Sequence, residues 1–143
     1  KKTSEGNVPS FGAMAIVGNK KGVIGIGTAK AKETLPARDK AIRKAKLNLI
    51  KIPMGCGSFD CACGKPHSIP FKIEGKCGSS KIKLMPAQKG TGLVIEDECK
   101  KLMNLAGIKD IYSKTFGQTK IKYNIIKACF NALNNLNKMV TKT

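Results

Sequence analysis

The middle of the chain contains a tract that interrupts regular secondary structure: residues 54–67 read MGCGSFDCACGKPH. Glycine and proline at this density are typical of loops, so we predict a connector over residues 55–67. Regular hydrophobic patterns on both sides predict two small domains, residues 1–54 and 68–143. The total of 143 residues has room for this arrangement, and 41% hydrophobic residues predict a packed core rather than a disordered chain.

The first half of the chain predicts a small sheet covered by one helix. Two apolar strands, residues 11–17 and 23–29, flank a glycine-rich turn. Gly25 and Gly27 within the second strand indicate either a bulge or the close approach of another backbone. Thr34 is the predicted N-cap of the helix that follows, in which apolar residues recur at helical spacing.

The second half predicts a ββαβα arrangement with two helices on one face of a sheet, so that the chain as a whole is α+β. The expected elements are strands at 68–74, 79–85 and 111–116, a short strand at 93–95, and helices from Glu96 to Gly107 and from 123 to 140. In the second of these strands lysines alternate with Ile82 and Leu84. This alternation predicts that the strand has one buried face and one basic face.

The chain carries a large excess of positive charge, formally +18. There are 12 basic and 3 acidic residues in 1–54, and 15 basic and 6 acidic residues in 55–143, so both halves share the excess equally. Solubility alone needs a net charge of only about 2–8. A polyanion would neutralise the excess through phosphate contacts and counterion release, so nucleic acid is the predicted partner of both halves.

Lysine supplies nearly all of this charge, since 25 of the 27 basic residues are Lys. Lysine is a point charge, whereas arginine has the planar fork that reads guanine edges. With 5% aromatic residues and no Trp, we do not expect a base-stacking platform. These features predict contacts with the backbone of folded RNA or a duplex. The residues expected to contact phosphates are Lys20, Lys21, Lys30, Lys32, Arg43, Lys44, Lys81, Lys83 and Lys89.

Several protein classes are not expected. No apolar run approaches the roughly 18 residues of a membrane span, and no signal-peptide pattern opens the chain, so we predict no membrane partner. Because the chain does not begin with Met, we expect it to be part of a longer protein. We also predict no enzyme activity. His67 is the single histidine, and the acids at 96–98 begin a helix, where they complement its dipole.

The cysteines near the connector suggest a site of their own. Cys56, Cys61, Cys63 and His67 follow the spacing C-x4-C-x-C-x3-H and offer the sulfur and nitrogen donors that zinc prefers. The C-x-C step is less typical of zinc sites than C-x2-C, so a disulfide and free thiols in a tight loop remain alternatives. No cofactor is established by this pattern, and zinc is the candidate. Cys99 and Cys129 lie on apolar helix faces and are predicted packing residues.

Separated motifs along the chain occur in an order that resembles one known family. The motifs are GNKKGVIGIG at 18–27, AKAKE at 29–33, AIRKAK at 41–46, PAQKGTG at 86–92, LAGIKD at 105–110 and KACFNAL at 127–133. In order and spacing they are similar to the universal small-subunit ribosomal protein S-five family. The cysteine tract and the GKCGS at 75–79 resemble its archaeal and eukaryotic branch, and the archaeal form more closely.

This resemblance implies a double-stranded-RNA-binding-like domain over 1–54 and the family's own α+β domain over 68–143. It implies a structural protein of the cytoplasmic small ribosomal subunit, which binds small-subunit ribosomal RNA near the messenger-RNA entry path and supports decoding accuracy. The implied neighbours are ribosomal proteins similar to S-four and S-eight. Gly90, Thr91 and Gly92 match the family's loop at the S-four contact.

The resemblance also has a departure. Residues 3–10 match a loop of the family that approaches ribosomal RNA and is usually basic, but here the loop contains Glu5 and no lysine. Its phosphate contacts are therefore not expected to follow the family. The alternative function is a free-standing RNA-binding or RNA-chaperone module, with or without zinc, that does not belong to a stable particle.

Overall fold

The computed structural model describes residues 1–56, 61 and 64–140, and the chain divides into two compact units. The first unit consists of Lys1–Val17 and Gly25–Leu49, and the second consists of Gly18–Ile24 and the chain from Ile50 onward. The strands are β1 (Lys2–Thr3), β2 (Gly6–Asn7), β3 (Phe11–Gly18), β4 (Val23–Ala31), β5 (Leu49–Lys51), β6 (Ile73–Cys77), β7 (Ser80–Pro86), β8 (Leu93–Val94) and β9 (Ile111–Phe116). The helices are α1 (Thr34–Leu47), α2 (Asp97–Ala106) and α3 (Lys122–Val140).

In the first unit, α1 lies directly against β4 within a three-stranded sheet of order β3–β4–β5. A Cβ atom at Gly25 would overlap the carbonyl of Ala45, and one at Gly27 would overlap that of Ala41. Of the two roles predicted for this glycine pair, the close approach of another backbone is therefore confirmed. The predicted cap is wrong, because Thr34 is already helical and Glu33 occupies the N-cap position.

The second unit is built on a four-stranded sheet of order β6–β7–β9–β8, in which β8 runs parallel to β9 and the other pairs are antiparallel. The long helix α3 covers one face of β6 and β7, and α2 packs against α3. Gly75 permits this contact, since a Cβ there would overlap the backbone of Ala128 and Ala132. The predicted α+β class is confirmed, with β1, β2 and β5 as small additions.

Two details of the second unit differ from the prediction. The first strand begins at Ile73 and not at Ser68, because Ser68 makes an isolated bridge to Gly55 in place of a sheet contact. The turn at 18–24 packs in this unit, where the amides of Lys20 and Gly22 donate to the carbonyls of Leu105 and Ala106 at 2.8 Å each. These carbonyls end α2 and lack partners within the helix. The domain limits at 54 and 68 themselves stay a prediction.

None of the helices in the described part of the chain has the length and hydropathy needed to cross a lipid bilayer.

Replacement of Gly75 by a larger residue should disrupt the packing of α3 against β6. We expect Gly75→Val to lower the free energy of unfolding by about 2–3 kcal/mol, because the new side chain must displace the helix backbone. Gly64→Ala is the control, since no described atom lies within 4 Å of a Cβ at that position. Urea titration followed by circular dichroism measures both. Equal stability of the two variants would contradict this packing.

Candidate nucleic-acid interface and metal centre

The uncovered face of the four-stranded sheet carries lysines interleaved with aromatic residues. Side chains alternate along a strand, so the residues between the buried ones of β6, β7 and β9 share this face. The antiparallel register aligns Lys76, Lys81 and Phe116 in one cross-strand row and Lys83 with Lys114 in the next. We call the following set the basic sheet face: Lys76, Lys81, Lys83, Tyr112, Lys114 and Phe116.

The charges on this face are close enough to influence one another. The Nζ atom of Lys83 lies 2.8 Å from a carboxylate oxygen of Glu74, and this contact raises the pKa of Lys83 and lowers that of Glu74. Contact with the Lys83 ammonium lowers the pKa of Lys72, since two like charges are brought together. Lys114 lies over the Phe116 ring, 5.7 Å from its centroid. Added anionic groups would relieve the repulsion among these lysines.

The predicted phosphate-binding residues are distributed over both units. The exposed ones are Lys20, Lys21, Lys30, Lys32, Arg43, Lys44, Lys81 and Lys89. Lys83 is half-buried, and its charge is partly compensated by the ion pair with Glu74. The structure brings Lys81 and Lys83 onto one sheet face and leaves Lys89 on a loop.

A short antiparallel bridge assembles part of the predicted cysteine–histidine site. Gly55 and Ser68 exchange two backbone hydrogen bonds of 2.9 Å, which places Cys56 beside His67. The Nε2 atom of His67 lies 3.2 Å from the Sγ of Cys56 and 3.3 Å from the Sγ of Cys61. The donor atoms of these three residues all lie within 4.8 Å of one another. The fourth predicted ligand, Cys63, lies outside the described residues.

The other ring nitrogen of His67 faces a buried carboxylate. Nδ1 lies 2.7 Å from Oδ2 of Asp110, and the two residues are 5% and 4% exposed. Despite this short distance, Nδ1 has no aligned hydrogen-bond partner among the described residues. We take the contact as electrostatic, with the ring turned away from ideal geometry. The donor set of two thiols and one imidazole, backed by a carboxylate, is one that suits zinc.

The same carboxylate also contacts the glycine loop that resembles a protein-contact segment. The amides of Gly90 and Gly92 donate to Oδ1 of Asp110 at 3.1 and 2.9 Å. Both glycines have positive φ, 92° and 77°, which other residues rarely adopt. Gly90 is exposed, and Thr91 and Gly92 are half-buried. The positive φ angles therefore set the shape of the loop, and its two hydrogen bonds to Asp110 stabilise that shape.

The remaining cysteines of the described chain lie outside this cluster. Cys77 carries a free thiol in β6 and faces Ser80 across the β6–β7 pair. Cys99 and Cys129 are buried, as predicted for packing residues. A hydrogen bond with Cys99 and complete burial raise the pKa of Cys129, so its thiol stays protonated.

Sequence reasoning missed five candidate residues for different reasons: Lys76, Tyr112, Lys114, Phe116 and Asp110. Tyr112, Lys114 and Phe116 share a face because β9 alternates, and the pattern IYSKTF would have placed them there. The two aromatic rings were overlooked because a low aromatic content argued against stacking. Asp110 ends the LAGIKD motif, but nothing in the sequence relates it to His67, since only the fold brings the two together across more than 40 positions.

Two family models match the chain and together cover most of it. The model described as ribosomal protein S5, N-terminal domain, matches residues 1–53, and the model described as ribosomal protein S5, C-terminal domain, matches residues 75–141. Both models describe ribosomal proteins, so this basic α+β chain of two units belongs to the class of ribosomal proteins. Within that class, the chain belongs to the ribosomal protein S5 family.

Archaeal members of this family are similar over nearly the whole chain. The small ribosomal subunit protein uS5 of Nanoarchaeum equitans is 52% identical over 139 residues, covering 97% of this chain and 60% of the relative. The uS5 protein of Methanococcus maripaludis strain C6 is 54% identical over 127 residues, covering 89% and 56%. That of Staphylothermus marinus is 49% identical, covering 98% and 65%. The predicted family and its archaeal type are confirmed, and the chain spans about three fifths of these relatives.

The ion pair of Glu74 with Lys83 should be detectable as a lowered pKa when the Glu74 carboxyl group is titrated. The lowered pKa of Glu74 means that the pair stabilises the fold above the carboxyl group's ordinary pKa and that this contribution is lost as pH falls through the lowered value. We expect Lys83→Met to raise the pKa of Glu74 toward its ordinary range, as measured by carbon NMR. Lys76→Met, on the same face, is the control and should leave it nearly unchanged. An unshifted Glu74 in the Lys83 variant would contradict the pairing.

Proposed function

We propose that this chain is a structural, RNA-binding constituent of the small ribosomal subunit. The observation that carries the proposal is the basic sheet face: α3 covers one side of the sheet, while the other side presents lysines and aromatic rings to solvent. The relatives are named small ribosomal subunit proteins, and a net charge of +18 calls for a polyanionic partner. Small-subunit ribosomal RNA meets both requirements.

The RNA contacts proposed are mainly with phosphates. In residues 1–54 the candidates are Lys20, Lys21, Lys30, Lys32, Arg43 and Lys44, and in residues 68–143 they are Lys81, Lys83 and Lys89. To these we add Lys76 and Lys114 of the basic sheet face, with Tyr112 and Phe116 as exposed rings against which an unpaired base or a ribose would pack. Lysine ammonium groups would give affinity and position with little base readout.

The proposed protein partners are neighbouring ribosomal proteins similar to S-four and S-eight. Gly90, Thr91 and Gly92 form the contact loop in this proposal, which the exposure of Gly90 supports. Such a contact would shift the cytoplasmic small subunit between alternative conformations. Through this shift, a protein near the messenger-RNA entry path would influence decoding accuracy. The family is a structural one, and we propose no catalytic role for the chain.

We also propose that the cofactor is zinc, bound by Cys56, Cys61 and His67 with Cys63 as fourth ligand. Tetrahedral zinc with Zn–S near 2.3 Å and Zn–N near 2.0 Å separates nitrogen and sulfur by about 3.5 Å. The observed separations of 3.2 and 3.3 Å need only a small expansion to reach this value.

A sucrose gradient of cell lysate tests the ribosomal role. Co-migration of the chain with the small subunit at low and high salt is the expected result. Its presence only in light fractions would favour the free-standing RNA-binding or RNA-chaperone module and overturn the proposal.

The basic sheet face should contribute directly to RNA affinity. We expect the double variant Lys81→Gln, Lys114→Gln to weaken binding to small-subunit ribosomal RNA and to reduce the salt slope of log K by about 1 for each lysine that contacts a phosphate. Filter binding over a series of KCl concentrations measures both quantities. Lys101→Gln on α2 is the control, since Lys101 pairs with Glu98 away from the sheet face. An unchanged slope in the double variant would exclude these contacts.

The purified chain is expected to contain one zinc ion, measured by elemental mass spectrometry. Cobalt substitution should give the visible bands of a tetrahedral thiolate site. Cys56→Ser is expected to lose the metal because it removes one ligand, whereas Cys77→Ser, outside the cluster, should retain it. Metal-free protein with normal folding would exclude the zinc site.

A further inference from the structure

The side chain of Asp110 contacts two separate segments of the second unit at once. Its Oδ1 atom accepts the amides of Gly90 and Gly92, and its Oδ2 atom lies 2.7 Å from Nδ1 of His67. Burial of this carboxylate is costly unless its oxygens are compensated by donors or positive charge. Loss of either contact would leave one oxygen of the buried carboxylate uncompensated, so the free energy favours keeping both contacts.

The backbone around Asp110 strengthens the same connection. The amides of Lys109 and Asp110 donate to the carbonyl of His67 at 3.0 and 3.2 Å. The amide of Ile111 donates to the carbonyl of Gly92 at 3.1 Å. A movement of the imidazole or of its backbone is thus transmitted to the glycine loop through three consecutive residues.

The loop itself has few other restraints. No described atom lies within 4 Å of a Cβ placed at Gly90 or Gly92, so these residues do not hold the loop by packing. The amide of Thr91 donates to the carbonyl of Gln88 at 3.2 Å, and the two glycine amides donate to Asp110. The carboxylate therefore supplies two of the loop's hydrogen bonds.

The unsatisfied geometry at His67 indicates what a metal would change. With Nε2 directed at two thiols, a metal held there fixes the proton on Nδ1 and increases its positive character. A proton on Nδ1 could be donated to Oδ2 of Asp110. At present Nδ1 is buried and has no aligned hydrogen-bond partner among the described residues. A small rotation of the ring on metal binding would complete the hydrogen bond.

We infer that Asp110 is a positioning residue that couples metal occupancy at the cysteine–histidine cluster to the conformation of the Gly90–Gly92 loop. The inference rests on the zinc site proposed above. Metal binding orients His67, His67 orients Asp110, and Asp110 holds the two glycine amides. The loop surface offered to a protein neighbour is therefore complete only in the metal-bound chain.

The first test uses the unmodified full chain and zinc alone. Amide hydrogen exchange of Gly90 and Gly92 is measured by NMR with zinc bound, after removal by a chelator, and after zinc is restored. We expect exchange at both glycines to be about tenfold or more faster without zinc and to recover when zinc returns. The amides of Ile82 and Leu84 in β7 serve as internal controls and should change much less.

The second test uses Asp110→Asn, with the exposed Asp97→Asn as the matched control. We expect Asp110→Asn to weaken zinc binding by about 10–100-fold in a chelator competition, because a carboxylate behind a ligating histidine supports its orientation and basicity. Exchange at Gly90 and Gly92 should be fast in this variant even with zinc bound. Asp97→Asn should match the unmodified chain in both measurements.

The outcomes separate the two proposals. A chain that binds no zinc overturns the zinc site and this inference together. A chain that binds zinc, but whose glycine exchange is insensitive to zinc removal, leaves the zinc site standing and overturns the coupling. If Asp110→Asn does not fold, the chelation series on the unmodified chain still decides between these results.

Discussion

The close contact between α3 and the four-stranded sheet determines which residues this protein presents to its surroundings. Gly75 lets the helix backbone approach β6, and the resulting contact buries Ile82 and Leu84 of β7. Because strand side chains alternate, burial of this set obliges the lysines between them to face outward. A shift of one residue in register would bury the lysines instead, so helix packing and surface charge are two consequences of one alignment.

The exposed charge has little compensation within the chain. The described ion pairs between lysines and acidic residues use Glu74, Asp97 and Glu98, and two of these acids lie at the start of α2. With 27 basic and 9 acidic residues, the chain has too few acidic side chains to pair with most of its lysines. Release of counterions from a phosphate backbone would supply the driving force for binding a polyanion, as the structural RNA-binding role that we propose requires.

Prediction from the sequence succeeded where a pattern is local. The alternation in β7, the amphipathic pattern of α3 and the glycine that ends α2 at position 107 each identify an element without knowledge of the fold. It was wrong at residues 68–72, where apolar residues near Ser68 support a buried bridge and not a strand. It missed Asp110, since no periodicity or spacing relates this residue to His67 or Gly90. The long-range contacts that build the cluster depend on tertiary structure alone.

The location of the cluster explains why a metal is suited to this part of the chain. Among the described residues, the buried polar side chains are His67, Ser68, Ser80 and Asp110, and all but Ser80 lie at the cluster or beside it. A buried polar network stabilises a fold only when its members are satisfied. By composition, the surrounding tract is rich in glycine and poor in large apolar side chains. A tetrahedral ion would bind the thiols and the imidazole together and stabilise a segment that has few large apolar side chains. Through its contacts with His67 and the two glycine amides, Asp110 would transmit this stabilisation to the loop that we propose meets a neighbouring protein.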